Sequence, residues 1–468
     1  MKKAYFIGIC GVGMSATAIL LKQKGWQVEG SDEGFYPPIS DYLIKNHIKF
    51  HTKYEKNNVP DNPDMVVIGK HSTLTPEQNA EVKEVFAKKY HTLSYPEVLA
   101  DIAKDTCNLV VVGSYGKSTC STLAAYILAH SNLDPYYFLG ALSDNFDENA
   151  HVGKDQIFVM EGDEYPSSNW DSDAKFLHLN ARNVLVTGCE HDHYNVFPTI
   201  ESYKKPFVQL LKTLPKSAVI VANFDEKNTT EVVKESDRQA IYYSLKNTDA
   251  DYYGSGFSIG SQTRFDIHHH DQIIPITTSL LGEHNWLNII GVAAWLLELK
   301  LASPEQISKA VATFKPLFRR LELKTAHPMP VYEDFGSSYA KATAGIKAVR
   351  DQYPDKRIVV IFEPHTFSFR NHGALEWYDR LFDFADLVFI YQPPTAGSET
   401  HDQLTQAQIV ERVKSTGKKV ISLKKSDNLS DQILPHLNSK KDVVLIESSG
   451  SLDGSIPKII SAINKLTK

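Results

Sequence analysis

The sequence predicts an α/β protein of three domains, each built on a largely parallel sheet. Nine short apolar runs alternate with helical patterns, and they read AYFIGI, MVVIG, NLVVVGS, IFVMEGDE, VLVTGCE, AVIVANFDE, RIVVIFEP, DLVFIYQP and DVVLIESSG. Such near-continuous apolar strands are typical of parallel sheets that are covered on both faces. A length of 468 residues suggests about three domains of ordinary size. In such sheets, ligands bind at the carboxyl ends of the strands.

The order of elements sets the predicted domain boundaries. Residues 1–100 open with a strand, a glycine turn and a helix, which predicts a Rossmann-like domain. Residues 101–315 open with NLVVVGSYGKS and contain a β-rich stretch near 217–281, where DIHHHDQIIPI is typical of a hairpin. Residues 316–468 begin at Pro316, which marks a linker, and end in a lysine-rich helix. We expect this last domain to be Rossmann-like as well.

Composition and charge exclude several classes of protein. The net charge of −6 argues against a nucleic-acid partner. No apolar run reaches the roughly 20 residues that span a bilayer, so we expect no membrane insertion. The apolar N-terminal stretch is broken by glycines, which favours folded structure over a signal peptide. The four cysteines have no CxxC spacing, so we expect reduced thiols and a cytoplasmic location. We also expect a monomer or homodimer.

The first glycine turn, GICGVGMSA, joins a strand to a helix. Gly8, Gly11 and Gly13 would leave backbone N–H groups at the helix N-terminus, where a phosphate or pyrophosphate fits. Asp32, at the end of the next strand, could bind a ribose or uracil. The spacing is G-x-x-G-x-G and not the dinucleotide pattern G-x-G-x-x-G. Tight packing of strand on helix, without a ligand, is the alternative.

The second glycine turn, GSYGKS, predicts a nucleotide triphosphate site. Gly113 and Gly116 allow the backbone to wrap a phosphate chain, Lys117 supplies a cation, and Ser118 can place its hydroxyl on Mg²⁺. The standard P-loop has a glycine where this chain has Val111. A glycine turn with an exposed lysine is the alternative, but it explains neither the Ser-Thr pair nor the preceding strand.

Acidic residues follow two of the other predicted strands. They are Glu161, Asp163 and Glu164 in one loop, and Glu190, Asp192 and His193 in the other. Both loops could face the phosphate loop and supply ligands for Mg²⁺. Ordinary acidic loops at strand ends are the alternative. A zinc site built on His191 and His193 lacks completing cysteines or histidines.

Two further stretches carry polar groups suited to a nucleotide. LLGEHNWLN places His284, Asn285 and Asn288 at the start of a helix, and Asn285 could contact an adenine edge or cap the helix. FRRLEL places Arg319 and Arg320 before the third domain. A guanidinium there could reach a γ-phosphate, and surface ion pairing is the alternative.

Six motifs occur in a fixed order: G-x-x-G-x-G-M, G-x-x-G-K-S, E-x-D-E, E-x-D-H, G-E-H-N and R-R-L-E. Together they resemble the Mur ligases over essentially the whole chain, and that family's phosphate loop reads G-x-x-G-K-[ST]. The resemblance implies ATP and Mg²⁺ as cofactors. It also implies UDP-N-acetylmuramic acid and an amino acid or peptide as the molecules that are joined.

The resemblance also implies roles for individual residues. ATP would be bound by Gly113, Ser114, Tyr115, Gly116, Lys117, Ser118, Thr119, His284, Asn285, Arg320 and Asp334. The UDP-sugar would be bound by Gly8, Gly11, Val12, Gly13, Met14, Ser31, Asp32 and His71. The metal ligands would be Ser118, Glu161 and His193, and the catalytic residues Lys117, His193, Arg320 and His365. His365 is the candidate acceptor of the amine proton.

Two segments depart from the family pattern. The D-[YF]-[AG]-H-H-P motif becomes Asp334-Phe335-Gly336-Ser337-Ser338-Tyr339, without its histidines. The Q-P-H-R motif of the L-alanine-adding branch becomes Glu363-Pro364-His365-Thr366, and Arg370 could replace the missing arginine. These positions border the amine substrate in the family, so the changes argue mildly against free L-alanine.

The sequence therefore favours one reaction. EGSDEGFYPPISDYL, GEHN and RRLEL resemble a recycling branch that attaches the tripeptide L-alanyl-γ-D-glutamyl-meso-diaminopimelate. We expect an amide between its amine and the lactyl carboxylate of UDP-N-acetylmuramic acid, formed through an acyl phosphate. Ligation of L-alanine, ATP-dependent ligation of another carboxylate, and a non-catalytic ATP-binding protein of the same fold are the alternatives.

Overall fold

The computed structural model describes residues 1–35, 39–193, 196–327, 329–394 and 403–466. The chain divides into two compact units. The first comprises residues 1–256, 265–277 and 287–314, and the second comprises 257–264, 278–286 and 315–468. Three sheets, of five, ten and six strands, confirm the predicted α/β class.

The first sheet has the order β3-β2-β1-β4-β5, and its pairs are parallel. Its strands are β1 (Lys3–Ile7), β2 (Gln27–Ser31), β3 (Lys49–His51), β4 (Met65–Ile68) and β5 (Thr92–Leu93). The helices are α1 (Val12–Gln23), α2 (Ile39–Lys45), α3 (Ala80–Ala87) and α4 (Tyr95–Ile102). The helix α4 begins at a capping box of Ser94 and Glu97, which satisfies backbone N–H groups of its first turn.

The second sheet has the order β15-β14-β13-β12-β11-β10-β6-β9-β7-β8. Its strands are β6 (Cys107–Val112), β7 (Pro135–Phe138), β8 (Ala150–His151), β9 (Asp155–Glu161), β10 (Asn183–Val186), β11 (Ile220–Asn223), β12 (Ile241–Ser244), β13 (Tyr252–Ser258), β14 (Thr263–His269) and β15 (Gln272–Thr278). The helices are α5 (Lys117–His130), α6 (Ile200–Thr213), α7 (Lys227–Glu235), α8 (Glu283–Glu298) and α9 (Pro304–Thr313). Strand β6 pairs in parallel with both β9 and β10, which brings the carboxyl ends of all three to one edge.

The third sheet lies in the second unit, with the order β16-β17-β21-β18-β19-β20. Its strands are β16 (Glu322–Thr325), β17 (Val331–Asp334), β18 (Arg357–Glu363), β19 (Leu387–Ile390), β20 (Lys419–Ser422) and β21 (Asp442–Ser448). The helices are α10 (Tyr339–Gln352), α11 (Phe367–Arg370), α12 (Gln406–Ser415), α13 (Ser430–Ile433) and α14 (Ile456–Leu466). Only the β16–β17 pair is antiparallel, so β17, β21 and β18 end side by side.

All nine apolar runs form strands, as predicted. They become β1, β4, β6, β9, β10, β11, β18, β19 and β21. Most of their residues are buried because helices cover both faces of the sheets. The strands of the three sheets fall within the predicted ranges 1–100, 101–315 and 316–468, while the boundaries themselves stay a prediction.

Three other expectations concern membrane spans, the cysteines and the hairpin. Among the described residues, no helix is long and apolar enough to cross a membrane. All four cysteines are free, and Cys120 and Cys189 are buried. The predicted hairpin forms β14 and β15.

Candidate active site

The second glycine turn has the backbone that its sequence predicts. It joins β6 to α5, with Gly113 at φ +137° and Gly116 at φ +78°. A Cβ atom at Gly113 would collide with the Thr187 hydroxyl, and one at Gly116 would lie 2.5 Å from Asn288 Oδ1. Both positions therefore require glycine, and the helix that follows begins at Lys117.

Lys117 is held by two protein oxygens. Its Nζ donates to the carbonyl of Gly113 at 2.5 Å and to Glu164 Oε2 at 2.8 Å. Burial alone would lower the pKa of Lys117, but the carboxylates of Glu164, Asp163 and Glu161 outweigh it and raise that pKa. Because an ammonium has three N–H donors, one remains for a ligand oxygen.

Glu164 connects Lys117 to two other predicted site residues. The Glu164 side chain is 0% exposed, and its Oε1 lies 3.3 Å from His193 Nε2 and 3.2 Å from the Tyr203 hydroxyl. Tyr203 in turn lies 2.8 Å from Ser114 Oγ. Burial raises the pKa of Glu164, yet the charge of Lys117 and the hydrogen bond from His193 lower it overall. Glu164 is therefore an anion inside a network of donors.

The remaining residues of the predicted ATP loop lie on or next to α5. Tyr115 hydrogen-bonds the Glu190 carboxylate and accepts a hydrogen bond from the Thr187 hydroxyl at its own carbonyl. Ser118 and Thr119 are partly exposed in the first turn of the helix. The turn thus gathers Gly113 to Thr119 in one place, but their role as nucleotide ligands stays a prediction.

The predicted metal ligands lie around the same turn. Glu161 ends β9 and accepts a hydrogen bond from the Gly140 N–H at 3.0 Å. Its charge contributes to the raised pKa of Lys117. In the parts of the chain that the structure describes, no three His, Cys, Asp or Glu side chains form a preformed metal cage.

His193 lies in a strained position beside this cluster. Its backbone is left-handed, at φ +57°, and its ring lies 4.5 Å from that of Tyr165. The ring contacts Glu164, with 3.3 Å between His193 Nε2 and Glu164 Oε1. The metal set of Ser118, Glu161 and His193 therefore stays a prediction.

The first glycine turn is built differently. Gly8, at φ +84°, and Ile9 donate their N–H groups to the carbonyl of Ser31. Asp32 accepts a hydrogen bond from the Cys10 N–H at 2.8 Å, so its carboxylate is fixed against the turn. Gly11 precedes α1 without a side-chain cap, which leaves this helix N-terminus to backbone groups.

Other predicted UDP-sugar residues have mixed surroundings. The Ser31 side chain is fully buried and donates to Glu81, and Met14 is 4% exposed. Val12 is 46% exposed, and His71 is exposed with its Nδ1 2.8 Å from the Thr73 hydroxyl. A side chain at Gly13 would contact the Tyr95 ring at 2.8 Å. Ser31 and Met14 therefore face the protein interior, and the UDP-sugar site stays a prediction.

In the second unit, Asp334 and Arg320 meet at the carboxyl end of β17. Asp334 Oδ1 accepts a hydrogen bond from the Leu321 N–H at 2.9 Å, and the charge of Arg320 acts on the Asp334 carboxylate. The Arg320 guanidinium lies 5.1 Å from the centre of the Phe335 ring. Burial nevertheless raises the pKa of Asp334.

Arg319, unlike Arg320, is held by oxygens of the protein. Its Nη2 donates to the carbonyls of Ser448 and Gly450, at 2.6 Å each, and its Nε lies 2.9 Å from Glu333 Oε1. Arg319 therefore forms an ion pair, which was the alternative to contact with a γ-phosphate.

His284 and Asn285 open α8 within the second unit. Burial, helped by the positive charge of Arg320, lowers the pKa of His284 to about 4, so its imidazole is neutral at pH 7. The Asn285 Nδ2 donates to the carbonyl of Leu281 at 2.8 Å. The structure thus brings His284, Arg320 and Asp334 near one another.

Two carboxyl groups of this sheet, those of Glu447 and Glu363, were given no role by the sequence analysis. Glu447 pairs with Asp334 across β17 and β21, is 0% exposed and, among the described residues, has no hydrogen bond on either oxygen. Burial raises the pKa of Glu447 far above its ordinary value. Glu363 lies 3.2 Å from His365 Nδ1. Both acids lie at the carboxyl ends of buried strands, Glu363 as the last residue of β18 and Glu447 next to the last of β21, which was the one available signal. Arg370 donates to the carbonyl of Pro394 at 2.9 Å.

Comparison with known proteins resolves the family. Residues 3–106 match the Mur ligase family catalytic domain, and residues 111–296 match the Mur ligase middle domain. The chain belongs to the Mur ligase family. This Mur ligase is 26% identical over 466 residues to the UDP-N-acetylmuramate–L-alanyl-γ-D-glutamyl-meso-2,6-diaminoheptandioate ligase of Haemophilus influenzae, with 99% of each chain covered.

Other relatives are named for a different acceptor. The Mur ligase described here is 27% identical to the UDP-N-acetylmuramate–L-alanine ligase of Vesicomyosocius okutanii, over 97% of this chain and 96% of the other. Its fold is similar to that of the UDP-N-acetylmuramate–alanine ligase of Thermotoga maritima, with a TM-score of 0.80, 20% identity and all of both chains covered. This likeness confirms the predicted three-domain architecture.

Proposed function

We propose that this Mur ligase joins the lactyl carboxylate of UDP-N-acetylmuramic acid to the amine of L-alanyl-γ-D-glutamyl-meso-diaminopimelate, with hydrolysis of ATP. The observation that carries the proposal is the Lys117 loop, in which a buried Glu164 orients the ammonium and leaves it one donor. The full-length similarity to the Haemophilus influenzae ligase supports the choice of substrates.

The nucleotide is assigned to the second glycine turn. Backbone N–H groups at the start of α5 and the Lys117 ammonium suit the β- and γ-phosphates. Ser118, Glu161 and His193 would hold Mg²⁺, which neutralises phosphate charge when bound. His284, Asn285, Arg320 and Asp334 are assigned to the same nucleotide by family resemblance.

The UDP-sugar is assigned to the first glycine turn. Its backbone N–H groups and the N-terminus of α1 suit a pyrophosphate, because both present partial positive charge. Asp32 would accept hydrogen bonds from a ribose or uracil. Gly8, Gly11, Val12, Gly13, Met14, Ser31 and His71 complete the assignment by family resemblance.

The chemistry needs two steps. The lactyl carboxylate attacks the γ-phosphorus, the bond from that phosphorus to the β–γ bridging oxygen breaks, and ADP leaves, while Lys117 and Arg320 stabilise the negative charge on the phosphoryl group. The acceptor amine then attacks the acyl carbon, the carbon–oxygen bond to phosphate breaks, and His365 takes a proton from the nitrogen. We expect the enzyme to act in the cytoplasm as a monomer or homodimer.

Ligation of free L-alanine is the second candidate. It is favoured by the similarity to the Vesicomyosocius okutanii L-alanine ligase. The two candidates share the ATP and UDP-sugar sites, so only the acceptor separates them.

Phosphate release tests the proposal. Purified protein would receive ATP, Mg²⁺, UDP-N-acetylmuramic acid and either the tripeptide or L-alanine, with Lys117→Ala as the inactive control. We expect turnover with the tripeptide and little with L-alanine. Turnover with L-alanine alone would establish the second candidate, and none with either acceptor would contradict both.

A further inference from the structure

The Glu363 carboxylate is fixed before any substrate arrives. It ends β18, its side chain is 4% exposed, and it accepts hydrogen bonds from the Ser448 hydroxyl and from the Leu452 N–H at 3.0 Å. Burial raises the pKa of Glu363, but the hydrogen bonds from His365 and Ser448 lower it overall. Glu363 is thus an anion with a defined orientation.

His365 is oriented by this carboxylate. Its Nδ1 lies 3.2 Å from Glu363 Oε1, and its backbone N–H donates to the Glu363 carbonyl at 2.8 Å. The His365 side chain is 41% exposed, and none of the described residues hydrogen-bonds its Nε2. One ring nitrogen therefore faces a fixed acceptor, while the other is open to a ligand.

The loop behind the imidazole is rigid as well. A Cβ atom at Gly450 would collide with His365 Nδ1 and lie 2.7 Å from Glu363 Oε2, so only glycine fits beside this pair. The Gly450 N–H donates to Ser448 Oγ at 3.0 Å, and Arg319 anchors the carbonyls of both residues. Glu363, the loop at Gly450 and Arg319 therefore together favour one orientation of the His365 ring.

We propose that Glu363 is a positioning residue that holds the proton of His365 on Nδ1, so that Nε2 accepts the proton released by the attacking amine. The inference rests on the proposed function. An imidazole whose Nδ1–H faces a carboxylate has a basic Nε2, and the carboxylate stabilises the imidazolium that forms. The carbon–nitrogen bond forms, the phosphate leaves with the electrons of the carbon–oxygen bond, and the amine proton moves to Nε2.

Kinetics of matched variants test the inference. Glu363→Gln keeps the size of the side chain but removes its charge, and Glu376→Gln is the exposed control. We expect kcat to fall about 30-fold in Glu363→Gln, with KM for ATP and UDP-N-acetylmuramic acid within about twofold of wild type. For His365→Ala we expect about a 100-fold fall that added imidazole partly reverses, whereas His436→Ala keeps full activity. A kcat within twofold of wild type in Glu363→Gln would overturn the inference.

A second variant and a spectrum guard against a folding defect. Ser448→Ala removes one donor to Glu363, and we expect a fall in kcat of about fivefold in a protein that still folds, with a melting temperature lowered by only a few degrees. In ¹⁵N spectra of histidine-labelled protein, the His365 signal is the one that is lost in His365→Ala. We expect that signal to show the proton on Nδ1 at high pH in the wild type and a mixture of both tautomers in Glu363→Gln. Protonation of His365 on Nε2 in the wild type would overturn the inference. The spectrum does not depend on turnover, so a protein without turnover would contradict the proposed function and still test the inference.

Discussion

The two glycine turns of the first unit occupy equivalent places, each between a strand and a helix, but they differ in backbone and in charge. Each joins a buried strand to a helix, and each has a fully buried glutamate nearby, Glu81 for the first and Glu164 for the second. Glu81 accepts hydrogen bonds from the neutral side chains of Ser31, Tyr5 and Asn58. Glu164 pairs with the Lys117 ammonium.

The pKa shifts of the two glutamates are opposite as a result. Burial raises the pKa of Glu81, and its hydrogen bonds do not compensate. The charge of Lys117 more than compensates for burial at Glu164 and lowers the pKa there. The first turn is thus supported by a carboxyl group whose pKa is raised by burial, and the second by an ion pair. The same order of strand, glycine turn and helix is therefore compatible with a buried lysine–glutamate pair at one turn and with neutral hydrogen-bond donors at the other.

Removing the lysine should have the largest effect. Lys117→Ala removes the ammonium that is proposed to donate to the phosphate, and it leaves the Glu164 charge buried without its cation. We expect the loss of transition-state stabilisation to be about 4 kcal/mol. We expect phosphate release to fall by about 10³-fold, measured against Lys227→Ala, an exposed lysine at the start of α7. Activity within tenfold of wild type would show that the second turn does not bind the transferred phosphate.

Neutralising the two buried glutamates should separate the turns by stability. Glu164→Gln leaves Lys117 buried without an anion and should lower the free energy of unfolding by about 3 kcal/mol. Glu81→Gln leaves no buried charge without its partner, because the side chains that bond Glu81 are neutral, and it should lower the free energy of unfolding by about 1 kcal/mol. Urea denaturation, followed through the first unfolding transition, would measure the loss of unfolding free energy in each variant. Equal losses would contradict the difference between the two turns.

Asp32 should separate the turns by ligand. Asp32→Asn weakens the acceptor fixed against the first turn, so we expect KM for UDP-N-acetylmuramic acid to rise about 20-fold, equivalent to about 1.8 kcal/mol. KM for ATP should stay within twofold. Steady-state kinetics with each substrate varied in turn would check this, and a rise for ATP alone would reverse the assignment.

The smallest effect should appear as a pH dependence. The pKa of Glu81 is raised by folding, so the stability linked to it is fully present below its unfolded value of about 4.5 and declines as pH rises through the folded value. Wild-type protein should therefore lose stability relative to Glu81→Gln as pH rises above about 4.5. Parallel curves of unfolding free energy against pH for the two proteins would contradict the raised pKa.

The sequence predicts the sheets well because their strands are short, apolar and continuous. Every apolar run singled out becomes a strand, and GSYGKS occupies the turn between β6 and α5 that its glycines require. Both signals are local, since they depend on the residues next to one another.

Contacts between distant residues were beyond prediction. Lys117 and Glu164 meet only because β6 pairs with β9, which places Val111 opposite Glu161. Ser31 was predicted to bind the UDP-sugar, but its side chain donates to Glu81 on α3, an acid that no motif marks. Glu363 and His365 are two residues apart, yet their geometry also depends on the distant segment from Ser448 to Leu452.

The most direct test is the identity and amount of the products. Protein, ATP, Mg²⁺, UDP-N-acetylmuramic acid and the tripeptide would be incubated together, and mass spectrometry and ADP measurement would follow. We expect one UDP-N-acetylmuramoyl-tripeptide for each ADP and each phosphate formed. ADP without the amide product, or no ADP in the presence of all substrates, would contradict the account.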